Sequence, residues 1–180
     1  VFTDSRRRKL LPDAAMAVWL GRTLELRRSK RTVYMIGNGA SASMASHYAA
    51  DLAKNGRIHT QVFSDLSLIT AISNDMGYEH VFAEPLRRRG EPGDMLVAIS
   101  SSGQSPNVLA AVRVAAEIGM CVVTLSAMKP GNALRRCGWL NVHVPAATYG
   151  ETGTVGESTC PIPDLSQPDP PGSPSLTCLS

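Results

Sequence analysis

The sequence predicts an α/β fold, a three-layer sandwich in which a parallel β-sheet lies between two layers of helices. Short, almost wholly apolar runs rich in β-branched residues alternate along the chain with stretches of helical periodicity. Such runs are typical of strands that are buried on both faces, as they are in a parallel sheet covered by helices. Hydrophobic residues are 43% and charged residues 18% of the 180 residues, which suits one domain with a sizeable core.

Each element is predicted from its own pattern. The predicted strands are residues 32–36, 60–63, 94–99, 120–125 and 140–144, with 68–72 as a further short strand. The predicted helices are residues 13–29, 41–54, 78–89, 106–118 and 129–136, with a turn over 74–78. Pro106 at the start and Gly119 just past the end delimit the helix over 106–118, because proline suits a first helical turn and glycine a C-terminal cap.

Composition divides the chain into three predicted parts: an N-terminal helical segment (1–30), the α/β domain (31–150) and a tail (151–180). Residues 1–31 hold nine Lys or Arg against three Asp or Glu. Residues 151–180 hold no Lys or Arg and six of the twelve prolines, so we expect an irregular, disordered tail. The helix over 13–29 has few predicted partners in so small a domain, and we expect it to pack against a second subunit.

Several function classes are disfavoured by composition. No run of about 18 apolar residues exists, so no membrane span is expected. Aromatic residues are only 5%, which disfavours a nucleic-acid module built on stacked rings, and the basic N-terminal excess is better read as a solvated helix face. The four cysteines form no CxxC pair and no signal-peptide core is seen, so we expect a cytoplasmic protein.

Two polar turns follow strong strands and precede helices. The first is 37–43, with Asn38 and Ser41, and the second is 100–107, with four serines at 100, 101, 102 and 105. Helix N-termini, glycines that permit close approach and serine hydroxyls together suit a phosphate. The serines could instead be helix caps and turn formers, but two such turns at equivalent junctions favour a ligand site.

The first turn does not match a nucleotide-binding fingerprint. Gly37 and Gly39 fit the start of a dinucleotide motif, but Ala42 stands where its third glycine belongs. The lysine of a phosphate-binding loop is also missing. We therefore expect no nucleotide cofactor.

Three further residues could carry chemistry. His47 and Asp51 lie four apart on one helix face, where they could bind a divalent metal, act as an acid and a base, or form an ordinary surface pair. Asp75 could either cap the following helix or accept a sugar hydroxyl.

Three stretches together resemble the SIS (sugar isomerase) domain, and within it the phosphoheptose isomerases. They are GNGASASMASHYAADL, SNDMGYEHVFAEPL and AISSSGQSPNVLAAVRVAAEIGM, and the resemblance covers about residues 10–150. It implies a five-stranded parallel sheet of flavodoxin-like order and a homotetramer or homodimer with sites at subunit interfaces.

The resemblance also implies a site and an activity, the isomerisation of sedoheptulose 7-phosphate through an enediol. It places Asn38, Ser41 and Asp75 at the sugar phosphate and puts Asp51 where the family commonly has a glutamate base. His47 matches a histidine that can bind zinc in the family, with Asp51 beside it. The residues implied to cradle the phosphate are Ser100, Ser101, Ser102 and Ser105.

The sequence departs from the family after residue 150. There the family continues with a long helix that carries an acid/base histidine, whereas residues 151–180 contain no histidine. Aspartate for glutamate also retracts the carboxylate of Asp51 by roughly 1.5 Å. The alternative hypothesis is therefore a non-catalytic SIS domain, either a sugar-phosphate sensor or a regulator that associates with a replication initiator.

Overall fold

Strands and helices alternate along residues 1–146, the part of the chain that the computed structural model describes. The strands are β1 (Phe2–Asp4), β2 (Lys9–Leu10), β3 (Thr32–Ile36), β4 (His59–Val62), β5 (Met95–Ser100), β6 (Cys121–Ala127) and β7 (Leu140–Val144). The α-helices are α1 (Pro12–Arg28), α2 (Ala40–Lys54), α3 (Leu66–Met76), α4 (Ala83–Arg89) and α5 (Pro106–Ile118). Two 3₁₀ helices cover Tyr78–His80 and Leu134–Arg136.

The strands form one sheet in the order β2-β1-β7-β6-β5-β3-β4. From β7 to β4 every neighbouring pair is parallel, which confirms the predicted five-stranded parallel sheet. The strands β1 and β2 were not predicted, and they extend this sheet as an antiparallel edge. At three and two residues they are too short to show an alternating pattern.

Helices cover both faces of the sheet. Successive strand residues point to opposite faces, so Val33 and Met35 pack with α1 and α2, while Tyr34 and Ile36 pack with α3, α4 and α5. Each face therefore has its own hydrophobic core, and the predicted three-layer αβα sandwich is confirmed. None of the helices within residues 1–146 combines the length and apolar character that a membrane span needs.

The helix α1 packs onto the sheet of its own chain. Trp19, Ala15 and Leu26 are each at most 2% exposed and lie in the core with α2. The expectation that this helix has few partners within the chain was therefore wrong, and its packing against a second subunit stays a prediction. The apolar residues of α1 are not confined to one stripe along the helix. The buried face was therefore difficult to predict from the sequence.

The run over 68–72, expected to be a strand, belongs to α3. Asp65 caps this helix by accepting a hydrogen bond from the Leu68 amide at 2.8 Å. Leu68, Ile69 and Ile72 then share one face, which packs on the core. A short apolar run fits either period, and here the cap and the tertiary packing decide for the helix. The predicted turn over 74–78 is accordingly the end of α3 and the 3₁₀ helix after it.

The helix predicted over 129–136 is reduced to its last three residues. Asn132 accounts for this, because its Nδ2 donates to the Lys129 carbonyl at 2.9 Å and its Oδ1 accepts from the Arg135 amide at 3.0 Å. The side chain thus takes backbone partners that a regular helix would use internally.

Candidate functional site

The candidate site lies where the strand order reverses. From β3 the chain runs outward to β4, and it then returns to β5 on the other side of β3. In open parallel sheets the carboxyl ends of strands at such a point form a ligand-binding crevice. Ile36 pairs with Ala98 at those ends, so the turns that follow β3 and β5 are neighbours.

Two glycines shape the turn after β3. A Cβ on Gly37 would lie 2.7 Å from Ser41, so only glycine fits there, and Gly39 takes a φ of 55°. The Ser41 amide donates to the Asn38 carbonyl at 3.0 Å. This tight turn places Asn38 and Ser41 together at the N-terminus of α2, as the sequence predicts.

The serines of the second turn have two different roles. Ser100 is 4% exposed, and its Oγ lies 2.9 Å from the Ser105 Oγ and accepts from the Gly103 amide at 3.2 Å. Ser100 is thus part of the framework, whereas Ser101, Ser102 and Ser105 are half-buried. The Ser105 side chain makes no capping hydrogen bond to α5, so the capping interpretation does not hold for it. The Ser102 hydroxyl accepts from the Gln104 amide at 3.2 Å, as a turn former does, and it keeps its own O–H for a ligand.

Gly103 lets this turn pass over a buried polar side chain. Its φ is 61°, and a Cβ built on it would overlap the side chain of Asn132. Asn132 is 1% exposed and also donates to the Ser126 Oγ at 3.1 Å, so it has no room to move aside. The turn is accordingly tied to the end of β6.

We predict that Gly103→Ala destabilises the protein by about 2–4 kcal/mol, because the left-handed backbone and the overlap with Asn132 both oppose a side chain. The matched control is Gly21→Ala in α1, where a Cβ meets nothing within 4 Å. That change should stabilise by about 0.5–1 kcal/mol. Urea unfolding measures both, and equal effects of the two variants would contradict the prediction.

An amide pair joins the two turns. Asn38 Nδ2 donates to Asn107 Oδ1 at 2.9 Å, and Asn107 Nδ2 donates back to Asn38 Oδ1 at 2.9 Å. The Tyr78 hydroxyl also donates to Asn38 Oδ1, at 3.2 Å. The sequence predicts Asn38 but not Asn107 or Tyr78, because no local pattern shows that residues 40 and 69 positions away meet the same side chain.

His47 and Asp51 form the predicted pair, with His47 Nε2 lying 3.4 Å from Asp51 Oδ2. Both side chains are largely exposed, at 72% and 50%. Asp51 is ten residues along α2 from Ser41, so it lies about 15 Å from the turn along the helix axis. A phosphate bound at the turns and a carbon atom beside this carboxylate are therefore far apart within one chain.

The donors for a zinc ion are incomplete in the described residues. A protein zinc site generally has three or four protein ligands. Within residues 1–146 no group of three His, Cys, Asp or Glu side chains converges, so His47 and Asp51 supply only two. This donor set therefore does not fit a complete zinc site.

Asp75 occupies the last turn of α3 and is exposed. It therefore does not cap the following helix, and the capping interpretation was wrong. Its Oδ1 accepts from Asn74 Nδ2 at 2.9 Å, and it lines a cavity of about 270 Å³ between α3 and α4. Tyr78, three residues later, reaches Asn38, so this end of α3 approaches the first turn.

His143 lies in β7, as expected, and is 2% exposed. In the sheet it pairs with Ser126, which in turn pairs with Ser100. Burial, and after it the nearby Arg135 guanidinium, lower the pKa of the His143 imidazole below its ordinary value. His143 is therefore a buried residue of the strand that lies beneath the turn.

Comparisons with known proteins agree with this geometry. The model of the SIS domain family matches residues 23–127. Phosphoheptose isomerase from Roseiflexus sp. is 38% identical over 135 residues, covering 71% of this chain and 68% of the relative.

Two solved structures are also similar. Phosphoheptose isomerase from Neisseria gonorrhoeae has a TM-score of 0.71 at 32% identity, over 79% of this chain and 80% of that one. The enzyme from Francisella tularensis has a TM-score of 0.72 at 26% identity, over 78% and 77%. With its strand order, its paired turns and the match of the family model, the chain belongs to the SIS domain family, and the three relatives named above are phosphoheptose isomerases.

Proposed function

We propose that the protein is a sugar-phosphate isomerase of the phosphoheptose type, acting on sedoheptulose 7-phosphate. The observation that carries this proposal is the junction of the two turns, where the amide pair of Asn38 and Asn107 lies beside the half-buried serine hydroxyls. Uncharged donors at helix N-termini suit a phosphate, and a carboxamide suits a sugar oxygen. Similarity to phosphoheptose isomerases supports the substrate.

The reaction moves a proton between adjacent carbons through an enediol, which requires a base and an acid. Asp51 is the proposed base, and Ser102 and Ser105 would hold the phosphate with Ser101. The sugar oxygens would face Asn38, Ser41 and Asp75. No nucleotide takes part in this chemistry.

Calorimetric titration of the chain with sedoheptulose 7-phosphate tests the proposal. Saturable binding, together with conversion to the heptose phosphate in an activity assay, would support an isomerase. Binding without conversion would favour the alternative, a non-catalytic SIS sensor or a regulator that associates with a replication initiator. The position of Asp51, with only His47 beside it in the described residues, is what keeps that alternative open.

We further propose that the protein self-associates as a homodimer or homotetramer with sites at subunit interfaces. The separation of about 15 Å between Asp51 and the turns supports this, since a second subunit could bring the base of one chain to the phosphate turn of another. Leu11 and Leu66 are also 78% and 73% exposed. Light scattering should give two or four times the 19.2 kDa chain mass, and a monomer across the dilution series would contradict the proposal.

Zinc binding is proposed for His47 and Asp51 with further ligands from outside the described residues. Zinc titrated into the assembled protein should bind, and His47→Ala should weaken it by about 10-fold or more because one of few ligands is lost. His59→Ala is the control, since His59 is an exposed histidine on β4. Equal zinc affinity in the His47 variant and the wild type would contradict the assignment.

The cytoplasmic location also stays a prediction. It rests on the cysteine pattern and the composition rather than on the fold.

A further inference from the structure

We propose that Asn107 and Tyr78 are positioning residues that hold the Asn38 carboxamide in one orientation, in which it offers the substrate a single N–H donor. The inference rests on the proposed function, because it concerns how the same site recognises a sugar phosphate. It goes further by assigning roles to two residues and a direction to the hydrogen bond.

The hydrogen-bonding capacity of Asn38 is almost fully used within the protein. A carboxamide can accept two hydrogen bonds and donate two. Its oxygen already accepts from Asn107 at 2.9 Å and from Tyr78 at 3.2 Å. Its nitrogen donates to Asn107 at 2.9 Å. One N–H remains without a partner among residues 1–146.

The orientation is set by a chain of bonds that begins in the backbone. The Val108 amide donates to Asn107 Oδ1 at 2.9 Å, so the oxygen of the Asn107 carboxamide must lie on that side. Asn107 is 2% exposed and cannot turn away. Its Nδ2 therefore faces Asn38 Oδ1, and flipping the Asn38 amide would bring donor against donor. The Tyr78 hydroxyl can donate to Asn38 only while the oxygen of that amide faces it.

A fixed N–H donor complements an oxygen that accepts a hydrogen bond. When a sugar phosphate reacts through an enediol, one sugar oxygen gains negative charge and accepts hydrogen bonds more strongly. A donor that the protein already holds in place stabilises this charge without having to reorganise. The serine turn already supplies hydroxyls for the phosphate. Asn38 thus recognises a sugar oxygen, and Asn107 and Tyr78 act through it without touching the substrate.

The test compares two ligands on three variants. Tyr78→Phe removes one hydroxyl from a half-exposed ring. Asn107→Ser introduces no charge, but serine cannot form the two reciprocal hydrogen bonds that join Asn107 to Asn38. Tyr34→Phe is the matched control, because the Tyr34 hydroxyl donates only to the Arg89 carbonyl, at 2.8 Å. Thermal melting confirms that each variant is folded, and nitrogen-edited NMR reports the Asn38 side-chain amide directly.

We expect Tyr78→Phe to weaken sedoheptulose 7-phosphate about tenfold and Asn107→Ser about 10- to 100-fold. Both should bind inorganic phosphate within about twofold of the wild type, because the four serines of the second turn are unchanged. Both should also shift the Asn38 amide resonances and speed their hydrogen exchange. Tyr34→Phe should change none of these.

The outcomes separate the two proposals. Suppose that the wild type binds the sugar phosphate. If the two variants bind it as tightly as the wild type does, or if their affinity for inorganic phosphate falls as much as their affinity for the sugar phosphate, the inference is overturned and the proposed function stands. If the wild type binds no sugar phosphate, the proposed function is overturned, and NMR decides the orientation alone. Unchanged Asn38 resonances in both variants would then overturn the inference, and shifted ones would support it.

Discussion

Replacing Ser102 and Ser105 together with alanine is expected to weaken the binding of sedoheptulose 7-phosphate by two to four orders of magnitude. Each hydroxyl is half-buried at the crevice. A hydrogen bond to a charged group contributes about 1.5–3 kcal/mol, so losing two costs about 3–6 kcal/mol of binding free energy. The double variant loses the bonds of Ser105 to Ser100 and of Ser102 to the Gln104 amide, but the fold should survive, because the bond from the Gly103 amide to Ser100 is kept.

The matched control for this double variant is Ser29→Ala. The Ser29 hydroxyl donates to backbone carbonyls of α1, to that of Glu25 at 2.7 Å, and it precedes β3, whereas the first turn follows that strand. Calorimetry on the three proteins should show normal affinity for the control. Unchanged affinity in the double variant would move the phosphate away from this turn.

Slow turnover is the second large effect that we expect. The proposed base, Asp51, is one methylene shorter than the glutamate of the family, and the acid/base histidine of the family has no counterpart in residues 151–180. Residues 151–180 contain no His or Lys, and loss of a general acid costs about 10²–10⁴ in rate. We therefore expect the chain to bind sugar phosphate but to isomerise it at less than about 1 s⁻¹, below ordinary enzyme rates. Asp51→Asn should remove what turnover remains.

Asp51→Glu should act in the opposite direction. It returns the carboxylate to the reach that the family uses, and a misplacement of about 1 Å can cost on the order of a hundredfold. Grafting a family-type helix with its histidine after residue 150 should raise the rate further. Asp13→Asn, at an exposed position in the first turn of α1, is the control.

NMR that follows the heptulose phosphate over time measures all of these rates. A rate of about 1–10³ s⁻¹ for the unmodified chain would contradict our interpretation of residues 151–180. An Asp51→Asn variant as fast as its parent would contradict the assignment of the base.

Elements with a strong local signal were predicted well. Three of the five parallel strands, β3, β5 and β6, are near-continuous apolar runs, and α2 and α5 begin and end close to their predicted limits. The prediction of a strand over 68–72 failed because five residues, four of them apolar, fit a strand or a helix equally, and only the Asp65 cap and the core behind α3 distinguish them. The antiparallel edge of the sheet was not predicted, because β1 and β2 are too short to show a strand pattern. These strands form by pairing, β1 with β7 and β2 with β1. The tail and the assembly stay predictions.

By itself the sequence determined the α/β class, the two polar turns and the residue types that suit a phosphate, because each depends on neighbours in the chain. Tertiary structure alone decided which side chains meet at the site. Asn107 and Tyr78 reach Asn38 only because the strand order reverses between β3 and β5. Ser100 is buried and supports the turn because α5 covers its strand. Contacts between residues 40 or 69 positions apart depend on topology, and local patterns carry no record of it.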